Sequence, residues 1–230
     1  MGFESRESES HQGFTRPQTA QHAVLGEIRR MIMSRELKPG EHVRQGEISE
    51  RLQVSRLPIR EALKVLEAEG QLTYQPHHGY TVAQFSMREL SEIYRMRQLL
   101  EGEMLRKTAP EADQALIERL QSLIEEMESL SEAEDLLRFT EANREFHMSI
   151  FEAANMPQFM RVVKLLWQVS DSYRSLFFNA PASRRRVQQE HRRIVEACKS
   201  GNGEEAVAAM NEHRSNAMVD LAVVIGEDSD

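Results

Sequence analysis

The sequence has too few cysteines for a disulfide framework and no segment suited to a membrane. Its 230 residues include a single cysteine, Cys198, so no disulfide can form within the chain and a reducing compartment is expected. No apolar run approaches the roughly 20 residues that span a bilayer, and the polar N-terminus lacks the apolar core of a signal peptide. These absences predict a cytoplasmic protein that does not enter a membrane.

An overall excess of positive charge is also missing. The formal net charge is −8, which excludes strong nonspecific binding to nucleic acid by the chain as a whole. The acidic excess is uneven, because residues 19–85 carry nine Lys or Arg and eight Glu, whereas residues 86–230 carry eighteen basic and twenty-six acidic residues. The first of these segments therefore keeps enough positive charge for a modest surface that contacts phosphate.

Shifts in composition divide the chain into three parts. Residues 1–18 contain few apolar side chains and many Ser, Glu and Gln, which predicts a disordered leader. The rest of the chain is long enough for two domains. We place these domains at residues 19–85 and 86–230.

The pattern of residues 19–85 predicts three helices. Val24, Ile28 and Ile32 form a helical stripe that stops at the turn KPGE, and Ile48 and Leu52 indicate a shorter second helix.

The third helix begins after Ser55, which is suited to cap it, with Pro58 in the first turn. Its apolar residues share one face, and Arg56, Arg60 and Lys64 form a neighbouring basic stripe. A short helix, a tight turn and a basic second helix are typical of the helix-turn-helix, whose second helix enters the major groove of DNA.

A wing is predicted after the third helix. Leu72, Tyr74, Tyr80 and Val82 alternate at period two around the turn PHHG, which predicts two short strands. We interpret His78, in this turn, as a phosphate-facing group rather than a metal ligand.

The segments LQVSRLPIREALKVLEAEGQL and HGYTV resemble the N-terminal signature of the GntR family of bacterial regulators. The resemblance implies that Arg56 and Arg60 contact DNA and that Ser55 contacts phosphate. It also implies that Gly79 lets the tip of the wing approach the minor groove.

One position departs from the signature. Some relatives carry an arginine in the second helix where this chain has Gly46, and we expect Arg44 to take its place. The resemblance further implies that a homodimer binds double-stranded operator DNA.

Residues 86–230 show no strand pattern and six amphipathic helical segments, the first of which is broken at Pro110. The predicted segments are 87–108, 111–130, 132–155, 157–179, 182–200 and 203–226. The sequence therefore predicts a mainly α protein in which an N-terminal winged helix-turn-helix precedes an all-α six-helix bundle.

Three histidines, His147, His191 and His213, lie on three different predicted helices. Their spacing alone does not say that they meet, and solvated or locally hydrogen-bonded histidines are the more common outcome. Their contexts, NREFHMSIFEAANMP and EHRRIVEACKSGNGEEAVAAMNEHR, resemble the FCD effector domain of the FadR branch of the GntR family, in its six-helix, VanR-like form.

This resemblance implies that His147, His191 and His213 bind one divalent metal, typically zinc or nickel. The family's fourth ligand is an aspartate, and here that position is Asn143. Its i, i+4 spacing places it on the same face as His147, and its amide oxygen can coordinate a cation but brings no charge. The alternative is that the metal site is lost and that the histidines bind an anion directly.

Arg97, in RMRQLLE, matches an arginine that faces the ligand cavity in FCD domains. A guanidinium suits bidentate recognition of a carboxylate, and the alternative is an ion pair with Glu101 at i+4. We expect Tyr94 to point elsewhere, and we interpret Trp167 as a core residue.

Together these features predict a ligand-responsive, dimeric transcription regulator, a repressor of metabolic genes that senses a small organic acid. The alternative is a metal-dependent enzyme fused to a DNA-binding domain. The sequence contains no HExxH motif to supply a general base, so we predict that the protein is not an enzyme.

Overall fold

The computed structural model describes residues 20–178 and 180–227, so the predicted leader at residues 1–18 lies outside the described residues. Within the described ranges the chain forms nine helices and one three-stranded sheet. Its buried apolar residues form two separate clusters, one between Val24 and Val82 and the other between Leu90 and Leu221. The predicted fold class is confirmed.

The first cluster is built from three helices and a small sheet. These elements are α1 (Ala20–Met33), β1 (His42–Val43), α2 (Gln45–Leu52), α3 (Arg56–Ala68), β2 (Leu72–Gln75) and β3 (Gly79–Val82). The strand order is β1-β3-β2, and both pairs are antiparallel. The sequence pattern did not predict β1, because a strand of two residues is too short to show alternation.

The wing pairs Leu72 with Val82 and Tyr74 with Tyr80. The chain reverses at a turn in which His77 and Gly79 have φ angles of 69° and 86°. Glycine adopts this left-handed region at no steric cost, whereas a residue with a Cβ atom is strained there. Gly79 is therefore the residue type that this turn needs next to β3.

The second cluster lies in a six-helix bundle. Its helices are α4 (Met87–Glu111), α5 (Gln114–Glu132), α6 (Leu136–Ala153), α7 (Pro157–Phe177), α8 (Pro181–Lys199) and α9 (Gly203–Glu227). All six were predicted, with ends displaced by at most four residues. The predicted break at Pro110 is wrong, because α4 continues through this proline to Glu111. A proline in the last turn deletes only one backbone hydrogen bond, so it does not end the helix at once.

Helix α7 connects the two clusters, because it packs against α1 and makes two further contacts. The backbone N–H of Phe85 donates a 2.6 Å hydrogen bond to the hydroxyl of Tyr173 on α7, and Val169, on the same helix, lies against Gly70. Ser86 then starts α4 with a capping box completed by Glu89. Among the described residues, no helix is both long and apolar enough to span a membrane.

Candidate metal centre and nucleic-acid interface

Helix α3 divides its residues between a buried and an exposed face. Ile59, Ala62, Leu63 and Leu66 are fully buried against α1, α2 and the sheet. The predicted basic stripe, formed by Arg56, Arg60 and Lys64, is exposed to solvent. The helix thus presents positive charge on the side that the rest of the domain does not cover.

Ser55 occupies the N-cap position of α3 with extended backbone angles, but its side chain makes no cap hydrogen bond among the described residues. A cap side chain usually accepts from the N–H of the second or third helical residue. Here the third helical residue is Pro58, which has no N–H to donate. The predicted start of the helix is confirmed, whereas the predicted cap hydrogen bond is absent.

The remaining predicted DNA-contacting residues lie at two separate places. Arg44 is exposed at the start of α2 and forms a 2.8 Å ion pair with Glu47, which raises the pKa of Arg44. His78 is exposed in the wing turn beside Gly79. Their contact with DNA stays a prediction.

The three histidines of the bundle meet in its interior. His147 on α6, His191 on α8 and His213 on α9 are all buried, and the nitrogens that they offer lie within 4.8 Å of one another. The Nε2 atoms of His147 and His191 are 3.2 Å apart. Sequence spacing could not establish this meeting, which depends on the packing of three helices. Scattered histidines are therefore the wrong interpretation.

Glu190 orients His213. One oxygen of the Glu190 carboxylate lies 2.7 Å from Nδ1 of His213, which leaves Nε2 of that ring for the centre of the cluster. The other oxygen accepts a 2.6 Å hydrogen bond from Asn216. A carboxylate behind a histidine is a common support of metal ligands, because it fixes the ring and makes it more basic.

His191 and His213 are held in the neutral form that metal ligation requires. Burial lowers the pKa of His191 well below its usual value, and the neighbouring His213 adds to the effect. Burial also lowers the pKa of His213, although Glu190 opposes it. Neutral imidazoles keep a lone pair available for a cation.

Asn143 lies one turn before His147 on α6 and is buried. Its Oδ1 atom has no hydrogen-bond partner among the described residues, and a buried polar atom without a partner is costly. The three imidazoles and the supporting carboxylate form a group that can hold a divalent cation, and Asn143 lies on the same face of α6 as His147.

A buried ionic cluster adjoins the histidines. The carboxylate of Glu101 accepts hydrogen bonds from Arg97 at 2.8 Å, from the indole of Trp167 at 2.7 Å and from Arg214 at 2.5 Å. Burial opposes the ionisation of Glu101, but the two guanidinium groups and the indole N–H outweigh it and hold its pKa below the usual value. The ion pair of Arg97 with Glu101, weighed as an alternative in the sequence analysis, is therefore present.

Trp167 connects this cluster to the histidines. Its ring centroid lies 4.2 Å from the guanidinium carbon of Arg97 and 4.9 Å from the ring centroid of His147. The ring centroid of Tyr94 lies 4.8 Å from the same guanidinium carbon. The expectation that Tyr94 points elsewhere is therefore wrong. Trp167 is a fully buried core residue, as expected, and it also contacts the candidate site.

Sequence reasoning missed Glu190 and Arg214 as members of the site. Both directly neighbour a predicted metal ligand in the sequence: Glu190 precedes His191, and Arg214 follows His213. Consecutive residues of a helix point about 100° apart, so adjacency alone gives no reason to bring Arg214 to Glu101. The packing of α9 against α4 does so.

Two grooves lie near the bundle surface. The larger, of about 830 Å³, separates α1 from α5, α6 and α7, and the cations Arg119 and Lys164 on its walls are already paired with Glu145 and Glu152. The smaller, of about 390 Å³, lies between α4 and α9 and is lined by Tyr94 and Arg214. The smaller groove is the one that reaches the ionic cluster.

Comparison with known families gives two adjoining matches. Residues 20–82 match the family described as bacterial regulatory proteins, gntR family, and residues 92–216 match the FCD domain. The second match alone covers more than half of the chain.

Individual relatives agree with these matches. The chain is 29% identical over 207 residues to the HTH-type transcriptional regulator LutR of Bacillus subtilis, an alignment that covers 81% of this chain and 94% of LutR. It is 29% identical over 194 residues to a probable D-xylose utilization operon transcriptional repressor of Paenarthrobacter nicotinovorans, covering 80% of this chain and 84% of the relative. The solved structure of E. coli McbR/YncC shares the fold, with a TM-score of 0.80 at 24% identity over 89% of this chain and 97% of that one.

Proposed function

Because the chain belongs to the gntR family of bacterial regulatory proteins and carries an FCD domain, it is a transcription regulator rather than an enzyme, and we propose that it is a cytoplasmic repressor of metabolic genes. In this proposal a homodimer binds a palindromic operator until a small organic acid binds in the bundle. The similarity to a probable operon transcriptional repressor supports the proposal that this protein represses transcription.

The operator contacts are proposed for α3 and the wing. Arg56 and Arg60 are exposed on the uncovered face of α3, where a guanidinium can bind guanine in the major groove. Ser55 and His78 are proposed to contact phosphate, Gly79 to bring the wing to the minor groove, and Arg44 to add a contact from α2.

The metal is proposed to be zinc, or else nickel. His147, His191 and His213 would hold it, with the amide oxygen of Asn143 as a fourth donor. A bound divalent cation supplies positive charge that attracts a carboxylate, and all four of its protein ligands are neutral. The cation therefore leaves charge for an anionic effector to balance.

The observation that carries the effector proposal is the buried ionic cluster beside the histidines. Arg97 and Arg214 place two guanidinium groups beside one carboxylate, that of Glu101, and the smaller groove reaches them at Arg214. Guanidinium groups at the end of a groove favour an anionic ligand. A small mono- or dicarboxylate or a sugar acid meets this need, with Arg97 as its partner.

Helix α7 offers a route from the effector to the DNA-binding domain. Trp167 contacts Arg97 and His147 at one level of the helix, and Tyr173 binds the backbone of Phe85 further along it. A ligand that moves Trp167 thus acts on the helix that holds the linker. Through this contact, ligand binding is proposed to favour one placement of the DNA-binding domains over another.

The homodimer is proposed to form through α4 and α7, which pack against each other. Among the side chains that the structure describes, the exposed large apolar ones on these helices are Met96 and Leu99 on α4 and Val162 and Leu165 on α7. Neighbouring exposed apolar residues are typical of interaction surfaces.

The test uses the full-length protein with operators selected from random duplexes. Calorimetry against a panel of organic acids should find one that binds and that also changes operator affinity, whereas neutral sugars and amines should do neither. Arg97→Ala should weaken binding of that acid by about 1.5–3 kcal/mol and leave ligand-free operator binding unchanged. Arg88→Ala, at an exposed position of the same helix where the arginine pairs with Glu92, is the control and should bind the acid normally.

If Arg97→Ala binds the acid as tightly as the unsubstituted protein, Arg97 serves the fold alone. If no selected duplex is bound by the unsubstituted protein, the proposal of operator recognition fails as well.

A further inference from the structure

Leu57 is an exposed apolar residue at the start of the proposed recognition helix. It is the second residue of α3, and 54% of its surface is accessible to solvent. It contributes to neither apolar cluster, although Leu52, Val54 and Val65 around it pack partly against the first one. Packing within the domain therefore does not explain a leucine at this position.

The side chain points in the direction most distant from the core. At about 100° per residue, the buried residues Ile59 and Leu66 lie on the opposite side of α3 from Leu57. Lys64, two turns later, lies within about 20° of Leu57 on the same exposed face. Leu57 thus lies in the middle of an exposed, charged surface. An apolar side chain gains no stabilisation from burial there.

The position of Leu57 near the N-terminus of α3 also determines which part of the DNA its side chain can contact. In a helix-turn-helix the N-terminal residues of the second helix contact the edges of the bases. The only apolar group that a standard base pair presents in the major groove is the 5-methyl of thymine. An aliphatic side chain cannot form hydrogen bonds to the other base edges, but it can bury this methyl group.

We propose that Leu57 contacts the methyl group of a thymine in each half of the operator and selects thymine at that base pair. The inference rests on the proposed operator binding and adds the identity of one base. Arg56 and Arg60, which lie about 100° and 60° from Leu57 on one side of it, provide the hydrogen bonds and charge that Leu57 lacks.

Replacing thymine by deoxyuracil tests this contact directly, because the change removes the methyl group and leaves the Watson–Crick pairing intact. Each thymine of a duplex selected by the full-length protein is replaced in turn, in both half-sites. At one symmetric position the replacement should weaken binding by about fourfold per half-site, the equivalent of one buried methyl group. Replacement at other positions should have little effect.

Leu57→Ala should bind the unmodified operator more weakly and should no longer respond to deoxyuracil at that position. Arg60→Ala is the matched control. It should weaken binding but keep the deoxyuracil effect, because the arginine does not contact the methyl group. Leu57→Gln provides a second variant, and a new selection with it should shift the preferred base at that position away from thymine.

Two results would overturn the inference while operator binding stands. One is that no deoxyuracil position weakens binding by the unsubstituted protein, and the other is that Leu57→Ala retains the full deoxyuracil effect. If the unsubstituted protein binds no selected duplex, the proposed function fails first and the inference fails with it. Circular dichroism of Leu57→Ala should be unchanged, since the side chain is exposed.

Discussion

At the scale of single residues, Asn143 is the position where this chain departs from the ligand set that its family resemblance implies. The carboxamide occupies a buried place one turn from His147, and its oxygen lacks a partner among the described residues. Neutral oxygen binds a divalent cation less strongly than a carboxylate does. We therefore expect the proposed metal site to bind its cation more weakly than a site with an aspartate at this position.

Asn143→Asp should therefore tighten zinc binding, by about tenfold or more, since changes in the groups that surround metal ligands already alter affinity by about 10- to 100-fold. Titration of the metal-free protein with zinc against a competing chelator measures the change. Asn155→Asp adds the same charge at an exposed position just beyond α6 and should have no effect. Equal affinities for all three proteins would place Asn143 outside the coordination shell.

Glu101 is the second residue with a testable role. Glu101→Gln leaves Arg97 and Arg214 buried without their carboxylate, and we expect the metal-free protein to lose about 3–5 kcal/mol of unfolding free energy. Glu103→Gln, an exposed neighbour paired with Arg106, should change it by less than about 1 kcal/mol. Urea unfolding at neutral pH measures both.

The ionisation of Glu101 should also make the unfolding free energy depend on pH. The folded pKa of Glu101 lies below its usual value, so its contribution to stability is complete above the unfolded pKa of about 4.5 and is lost as the pH falls through the folded value. The unsubstituted protein should lose unfolding free energy in this acid range more steeply than Glu101→Gln. Parallel pH profiles would contradict this account of the carboxylate.

At the scale of elements, hydrophobic periodicity predicted six bundle helices because each buries one long stripe, as α5 does with Ile117, Leu120 and Ile124. It could not predict β1, which consists of two residues. It also could not predict which helices would become neighbours, and the contact between Arg214 and Glu101 depends on that. The bundle-site residues named from the sequence came from family resemblance, whereas Glu190 and Arg214 required the packed structure.

Helix α7 carries the prediction that belongs to this scale. Tyr173→Phe removes the hydroxyl that accepts a hydrogen bond from Phe85 and preserves the ring that packs against it. Ligand-free operator binding and binding of the acid should persist, but the coupling free energy between them should fall by about 0.5–2 kcal/mol. Operator titrations with and without the acid measure the coupling.

Gln158→Ala is the control on the same helix, because Gln158 is exposed and lies about four turns before Tyr173. Its coupling should match that of the unsubstituted protein. A normal coupling in Tyr173→Phe would mean that α7 does not transmit the signal through this hydroxyl.

At the scale of the whole molecule, the proposed operator recognition requires two copies, because one chain supplies one recognition helix for one half-site. Leu99→Glu places a charge on the proposed dimer surface and should shift light scattering at micromolar concentration from dimer towards monomer. Operator affinity should fall with it. Val223→Glu, at an exposed apolar position of α9, is the control and should remain dimeric. If the unsubstituted protein is itself a monomer, the proposed homodimer is excluded.

The position of Trp167 has a further consequence, because it is the single tryptophan of the chain. Its indole is fully buried and donates a hydrogen bond to Glu101. The ring also contacts the guanidinium of Arg97 and the imidazole of His147. Fluorescence excited selectively in tryptophan therefore originates at the candidate site and nowhere else in the protein. The chain carries a built-in optical probe whose emission should respond when nickel or an organic acid enters the bundle, without any label being attached.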